Sequence, residues 1–305
     1  KDSERSAPSK TGCDEPCGVL ASGGYLFQHD HFVLSAPAIE PPDFYTPAVL
    51  EIQSPAGIGR DAPATAPPEL AGRDQIREKI RIATERIRKG RPAKSVLMVG
   101  LRGVGKTVLL DRMRDDAEAV GIHTIRIEAP EGRSLPALIA PELRVGLLRL
   151  SQNAKAKDLA RRGLKALAGF AKALKVKYDD IEVGFDFDPE PGLADNADLE
   201  HDLQDLLEAV GAAAQRAGTA LIMFIDELHY VPEEQLAALI TALHRAAQRR
   251  LPVTVVGAGL PQLRGRMGKA KSYAERLFDF PEVGALSEAA AKVAIAKPAA
   301  AQKVK

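Results

Sequence analysis

Eight consecutive residues, Gly100 to Thr107, have the spacing of a phosphate-binding loop. They read Gly-Leu-Arg-Gly-Val-Gly-Lys-Thr and fit the Walker A pattern Gly-x-x-x-x-Gly-Lys-Ser/Thr at every position. The glycines allow a tight turn that exposes backbone N–H groups, and the helix that follows points its positive end at the same anion. In such a loop Lys106 places its charge on the β- and γ-phosphates and the Thr107 hydroxyl binds Mg²⁺. The segment predicts a nucleoside triphosphate site, with ATP and Mg²⁺ as the expected ligands.

This pattern is specific enough to support a binding hypothesis. Average composition produces it by chance in roughly one chain of this length in a hundred. The alternative is a glycine-rich turn between a strand and a helix that binds nothing. We predict that the nucleotide contacts the loop and the first residue after it, namely Gly100, Leu101, Arg102, Gly103, Val104, Gly105, Lys106, Thr107 and Val108.

A second segment, Leu221 to Glu227, begins with the most apolar run of the chain and ends in two carboxylates. A buried strand of this Walker B type brings Asp226 to the second coordination shell of Mg²⁺, or to the ion through a water molecule, beside Thr107. Glu227 then polarises the attacking water as general base. Taken alone, the segment also fits a strand that ends in a solvated acidic turn. Together with the phosphate loop it favours ATP hydrolysis, with Glu227 and Lys106 as catalytic residues.

The elements around these segments predict an α/β fold. Short apolar runs bounded by turn residues are typical of buried parallel strands, and apolar residues at helical spacing lie between them. Strands that alternate with helices predict a central parallel sheet with helices on both faces. The predicted helices cover Asp74–Lys89, Val108–Ala119, Ala154–Lys177, Leu199–Ala217 and Glu233–Arg250, and the predicted strands cover Ser95–Val99, His123–Glu128, Leu221–Ile225, Pro252–Val256 and Leu277–Pro281.

Two basic segments leave DNA binding open. The predicted helix Ala154 to Lys177 is rich in Lys and Arg, and so is the loop Arg264 to Lys271. Charge runs are usually solvated faces, and the acidic stretch Asp179 to Asp188, which alternates like a short hairpin strand, offsets the first run. DNA is therefore kept as an alternative partner.

Composition excludes several classes of protein. The 305 residues carry a net charge of +1, so the whole chain gives no argument for nucleic acid or a membrane surface as partner. Two cysteines, Cys13 and Cys17, stand without a later Cys or His cluster, which disfavours a zinc site and a disulfide scaffold. No apolar run is long enough to cross a bilayer and no signal-peptide pattern is present. We therefore expect a cytoplasmic location and no membrane partner.

The N-terminal segment, residues 1–68, differs from the rest of the chain. Pro, Ser, Gly and Ala are frequent there, and Asp61 to Pro68 has the composition of a linker. Such a segment buries too little apolar surface to offset its chain entropy. We predict that it is low-complexity or disordered and that the globular part begins near residue 69.

The globular part resembles the AAA+ ATPases, and within them the initiator-type, origin-recognition-like branch of bacterial ATP-binding proteins. The resemblance rests on Leu70-Ala71-Gly72-Arg73-Asp74, on the two motifs above and on Val253 to Leu260, and it covers residues 69 to 296. It implies the P-loop three-layer sandwich, with the ATPase core at 69–284. It also implies that Gly72 and Arg73 lie near the adenine.

The resemblance further implies a first sensor, a polar residue at the end of the strand that starts at Val253. Here the tip reads Gly257-Ala258-Gly259, so the sensor is absent or displaced, with Gln262 as a substitute. His229 either contacts the γ-phosphate region or is an ordinary surface or hydrogen-bonded histidine.

An arginine finger precedes the last sheet strand in this family, and Arg276 matches that place. Arg264 and Arg266 are competitors, and all three also fit a basic surface loop. A helical lid would begin near Leu286, with Ser287 to Ala296 as its first helix and Pro298 ending it. We expect residues 285–305 to hold only the start of that lid.

The leading hypothesis is an ATP-hydrolysing switch that oligomerises or rearranges with its nucleotide state. One alternative is a STAND-type signalling NTPase, which shares the Gly-Lys-Thr loop followed by Leu109-Leu110. The other is an ATP-dependent, initiator-like DNA-binding protein.

Overall fold

A computed structural model describes residues 70–175, 177–178, 181–182 and 187–301. The expectations for residues 1–68, including both cysteines, lie outside these residues.

A parallel sheet forms the centre of the described chain. Its five strands are β1 (Ser95–Val99), β2 (His123–Glu128), β5 (Leu221–Asp226), β6 (Val253–Gly259) and β7 (Phe278–Asp279). They lie in the order β2-β5-β6-β1-β7, so β6 separates the strand that leads into the phosphate loop from the strand that ends in Asp226. Every pairing in this sheet is parallel.

Alternate residues of the strands supply two apolar layers. In β5, Ile222 and Phe224 join one buried cluster, whereas Leu221, Met223 and Ile225 join the other. Both faces of β5 are therefore covered, which explains its unbroken apolar run. The first layer holds the helices α1 (Asp74–Arg88) and α2 (Lys106–Ala119), and the second holds α3 (Leu135–Ser151), α4 (Lys157–Ala173), α5 (Leu199–Ala217) and α6 (Glu233–Gln248).

Shorter elements complete the structure. A 3₁₀ turn, Leu228–Tyr230, follows β5 directly. The remaining elements are the antiparallel pair β3 (Lys177–Tyr178) and β4 (Ile181–Glu182), and the helices α7 (Gln262–Ala270), α8 (Ala274–Leu277) and α9 (Glu288–Ala301).

The predicted three-layer α/β architecture is confirmed. Several local features differ from the sequence predictions. Helix α4 spans Lys157–Ala173 instead of Ala154–Lys177, since Lys177 lies in β3, and most of the predicted loop Arg264 to Lys271 belongs to helix α7. Helix α2 begins at Lys106 rather than Val108, because Gly105 adopts a left-handed conformation and ends the loop there. Helix α3 was not predicted, since it carries Pro136 in its first turn and Pro141 in its interior. Helix α9 runs to Ala301 and so continues past Pro298, where the sequence predicted its end.

Among the described residues, no helix has both the length and the apolar character needed to cross a membrane. The predicted hairpin strand at 179–188 is only partly described: residues 181–182 form β4, and residues 179–180 and 183–186 lie outside the described chain.

Candidate functional site

The phosphate loop begins at the carboxyl end of β1, where its backbone packs closely against the backbone of two other segments. The N–H of Gly100 donates to the carbonyl of Gly259 at 3.2 Å, and the N–H of Val283 donates to that of Val99 at 2.7 Å. A Cβ built on Gly100 would lie 2.2 Å from the Val283 carbonyl oxygen. Only glycine fits at the first loop position, since any other side chain would displace backbone.

The loop then turns with two left-handed glycines. Gly103 and Gly105 have φ of 77° and 84°. Lys106 is the first residue of α2, and its Nζ donates to the carbonyl of Leu101 at 2.8 Å, which holds the ammonium over the loop. Thr107 is exposed, so its hydroxyl is accessible to a ligand at the positive end of α2.

Asp226 ends β5 at the same edge of the sheet, because the carboxyl ends of parallel strands lie together. Its side chain is only 3% exposed. One carboxylate oxygen accepts the backbone N–H of Glu227 at 2.8 Å. The other lies 3.4 Å from Nη2 of Arg126 on β2.

Arg126 is a residue of the site that sequence reasoning missed. Its Nε also donates to Oδ1 of Asp111 on α2 at 2.7 Å, so one guanidinium joins two carboxylates from two elements. The available signal was an arginine between the buried residues Ile125 and Ile127.

Glu227 follows β5 in the left-handed backbone conformation, with a φ of 54°, and the chain changes direction there. Its Oε2 lies 3.2 Å from Nδ1 of His229. His229 is only 5% exposed, so the surface interpretation of this residue was wrong. Its Nε2 is buried without a hydrogen-bond partner in the described part of the chain.

Burial lowers the pKa of His229, which favours the neutral imidazole. The Glu227 carboxylate opposes this shift by raising the same pKa. The cations of Arg102, Lys106 and Arg266 act in the direction of burial.

The expected polar sensor is missing from the tip of β6 for a steric reason. A Cβ on Gly257 would lie 2.4 Å from Cδ1 of Leu228, and one on Gly259 would lie 3.4 Å from the backbone nitrogen of His229. The glycines therefore make room for the 3₁₀ turn. The backbone N–H of Leu260 faces Nδ1 of His229 at 3.4 Å, and Gln262 is exposed.

Arg73 and Gly72, predicted near the adenine, have structural contacts of their own. Nη2 of Arg73 donates to the carbonyls of Val104 at 3.2 Å and Gly284 at 2.6 Å, which braces the loop. A Cβ on Gly72 would lie 2.8 Å from Cβ of Ala290 on α9. A cavity of about 580 Å³ opens beside them, and its lining includes Leu70, Gly72, Val108, Asp111, Ala290 and Val293.

The three candidate arginine fingers are in different surroundings. Arg276 is exposed and precedes β7, whose first residue pairs with Ser95 at the amino end of β1. The phosphate loop leaves the opposite end of β1, so Arg276 is not brought to the loop of its own chain. Arg264 pairs with Glu275 at 3.6 Å, and Arg266 donates to the carbonyls of His229 and Val231.

Comparison with known proteins gives one family match. The model of the family described as AAA ATPase domain matches residues 69–256. No curated protein matches the chain.

Among solved structures, the chain is similar to Cdc6p from Pyrobaculum aerophilum, with 16% identity, a TM-score of 0.42, and coverage of 73% of this chain and 48% of that one. It is also similar to Orc1 from Aeropyrum pernix in complex with DNA, with 14% identity, a TM-score of 0.41 and coverage of 78% and 52%. For the RuvB Holliday junction branch migration motor from Thermotoga maritima the values are 16%, 0.34, 76% and 52%. The chain spans about half the length of each.

Proposed function

The chain belongs to the AAA ATPase domain family, and on that premise we propose that it binds ATP with Mg²⁺ and hydrolyses the β–γ phosphoanhydride. One observation carries the proposal. The loop that ends in Lys106 and Thr107 and the carboxylates of Asp226 and Glu227 leave parallel strands at the same edge of the sheet.

The side chains at this edge suit a magnesium nucleotide. Mg²⁺ prefers oxygen ligands, and Thr107 and Asp226 provide a hydroxyl and a carboxylate. A magnesium ion there would neutralise the charge that develops on the phosphate oxygens. In this proposal Lys106 leaves the carbonyl of Leu101 for the phosphates, and the loop backbone cradles them from Gly100 onward. The adenine takes the cavity between Gly72 and Val108.

Glu227 is the proposed general base. Its carboxylate accepts a proton from the attacking water, while one carboxylate oxygen of Asp226 accepts the backbone N–H of Glu227. Turnover would drive a conformational or assembly switch, and homo-oligomers are the proposed assembly. The ATPase core extends over residues 69–284.

The decisive experiment separates binding from hydrolysis. We expect Glu227→Gln to bind ATP within about twofold of the parent in calorimetry and to lose turnover by about 100-fold, since positioned general bases contribute 10²–10⁴-fold. Asp205→Asn, which alters an acidic side chain on α5 beside His201, serves as the control and should leave turnover unchanged. Equal turnover in Glu227→Gln and the parent would remove Glu227 as the base.

A second candidate function, ATP-dependent DNA binding, is favoured by one surface. Helix α4 exposes Lys157, Arg161, Lys165 and Lys172, and no ion pair to any of the four occurs in the part of the chain that the structure describes. We define these four side chains as the basic face. A solvated cationic face of this kind suits phosphates, whose binding releases counterions.

The test is a salt titration of duplex DNA binding with and without ATP. Four phosphate contacts predict a slope of log K against log salt of about −3 to −4. Changing the basic face to glutamine should abolish that slope. Changing the paired residues Arg81, Lys89, Arg112 and Lys292 instead should preserve it. Absence of duplex binding at low salt would remove this candidate.

A further inference from the structure

We propose that His229 is the positioning residue of this site: its imidazole holds the Glu227 carboxylate in the orientation that a base requires. The inference rests on the proposed hydrolysis. It concerns a residue that neither motif includes.

The first argument is contact in a buried place. Nδ1 of His229 lies 3.2 Å from Oε2 of Glu227, within reach of a hydrogen bond. The carboxylate is about one-third exposed, whereas the imidazole side chain is 3% exposed. Glu227 therefore has one face towards solvent and one face fixed by a residue that solvent does not reach.

The second argument is the protonation state that this contact needs. A carboxylate only accepts hydrogen bonds, so Nδ1 must carry the proton that faces Glu227. In a neutral imidazole Nε2 is then the unprotonated nitrogen, and Nε2 is the buried atom without a partner among the described residues. A ring with a proton on Nδ1 and none on Nε2 satisfies both observations. The backbone N–H of Leu260, 3.4 Å from the same nitrogen, then has no acceptor there, because the shorter contact with the charged carboxylate decides which nitrogen holds the proton.

The third argument is rigidity, since a side chain orients another only if its own rotamer is fixed. The His229 ring lies 4.1 Å from the ring of Tyr230, and the Tyr230 hydroxyl accepts a hydrogen bond from Arg102 at 2.7 Å. Arg266 donates to the carbonyl of His229. Gly259 leaves the space that the His229 backbone occupies.

These contacts also link His229 to the phosphate loop, because Arg102 is a loop residue. The Glu227 carboxylate, the His229 ring, the Tyr230 ring and the Arg102 guanidinium form one continuous series. The polar group next to the end of β6 is thus the His229 imidazole. It comes from the turn after β5 and takes the place of a polar side chain on β6 itself.

The kinetic experiment compares three variants over a range of ATP concentrations, so that kcat and KM are both measured. His229→Ala should lower kcat about tenfold or more, with KM and the ATP dissociation constant within twofold, because misplacement of a catalytic group impairs the chemical step. His229→Asn can place an amide N–H near the position of Nδ1 and should recover most of kcat. The control is His244→Ala, since His244 packs on Tyr273 with ring centroids 5.1 Å apart, away from the loop, and it should behave as the parent. Parent-like kcat in His229→Ala, or equal losses in His229→Ala and His229→Asn, would overturn the proposal.

A second measurement tests the contact between His229 and Glu227 without relying on hydrolysis. If the parent protein does not hydrolyse ATP, that result overturns the proposed function, and this measurement still tests the contact. Imidazole ¹⁵N NMR of the parent should show His229 with its proton on Nδ1. Glu227→Gln should lower the pKa of His229 further, since the carboxylate is the group that raises it. A proton on Nε2, or a His229 pKa that Glu227→Gln leaves unchanged, would show that the two side chains do not interact.

Discussion

Nη2 of Arg126 lies 3.4 Å from Oδ2 of Asp226, so a cation on β2 faces the carboxylate proposed as a metal ligand. The two residues are 100 positions apart and meet because β2 lies next to β5 in the sheet. The same guanidinium reaches Asp111 of α2 at 2.7 Å. Arg126 on β2 thereby forms ion pairs with β5, through Asp226, and with α2, through Asp111.

Removing Arg126 should destabilise the nucleotide-free protein. Asp226 would keep a buried charge without its cation, and breaking a buried pair costs roughly 3–5 kcal/mol. The length of the pair and the 21% exposure of Arg126 reduce this, so we expect Arg126→Ala to cost about 1–3 kcal/mol. Urea unfolding without Mg²⁺ measures it.

The matched controls separate this pair from an ordinary surface contact. Arg112→Ala breaks the exposed pair with Asp116 on α2 and should cost less than about 0.5 kcal/mol. Arg126→Ala with Asp226→Asn should cost less than the sum of the single changes. Additive costs would mean that Arg126 does not stabilise Asp226.

Lys106→Ala should weaken ATP binding by about 100-fold or more, or about 3 kcal/mol, because the only ammonium that the structure holds within the phosphate loop is removed. Isothermal calorimetry with MgATP measures the loss. Lys94→Ala is the matched control, since Lys94 bonds the carbonyl of Glu275 at the other end of β1. Parent-like affinity in Lys106→Ala would refute the assignment of the loop.

Much of this site could be predicted because its parts are local in sequence. The phosphate loop is eight consecutive residues. Asp226 is the last residue of a strand whose two buried faces give an unbroken apolar run, and Glu227 follows it. The contacts of Arg126, His229 and Gly257 could not be predicted, since each depends on which strands are neighbours and on how closely the turn after β5 packs on β6.

Gly257→Ala should destabilise the protein, because its Cβ would lie 2.4 Å from Leu228 and 2.7 Å from Leu97. Overpacking of a closed core costs about 1–3 kcal/mol. The displaced Leu228 would also shift His229, so turnover should fall with stability. Gly268→Ala is the control, because a Cβ built at this helical position meets no atom within 4 Å apart from its chain neighbours and its own helix backbone. The variant should be neutral or stabilising by up to about 1 kcal/mol. Equal stabilities of the two variants would contradict the close packing of β6.

As an arginine finger, Arg276 should act on the nucleotide of a second copy of the chain. It is exposed beside a groove at the amino end of the sheet, and a five-residue strand such as β1 separates the two ends by about 13 Å. Arg276→Ala should therefore bind ATP as the parent does and lose turnover only at concentrations where copies associate.

Mixing Arg276→Ala with Lys106→Ala should restore part of the turnover, because the Lys106→Ala copies supply Arg276 to intact loops. Arg250→Ala changes a neighbouring exposed arginine of the same groove and should need no rescue. Failure of the mixture to exceed the sum of its components, in a protein shown to associate, would remove Arg276 from the site.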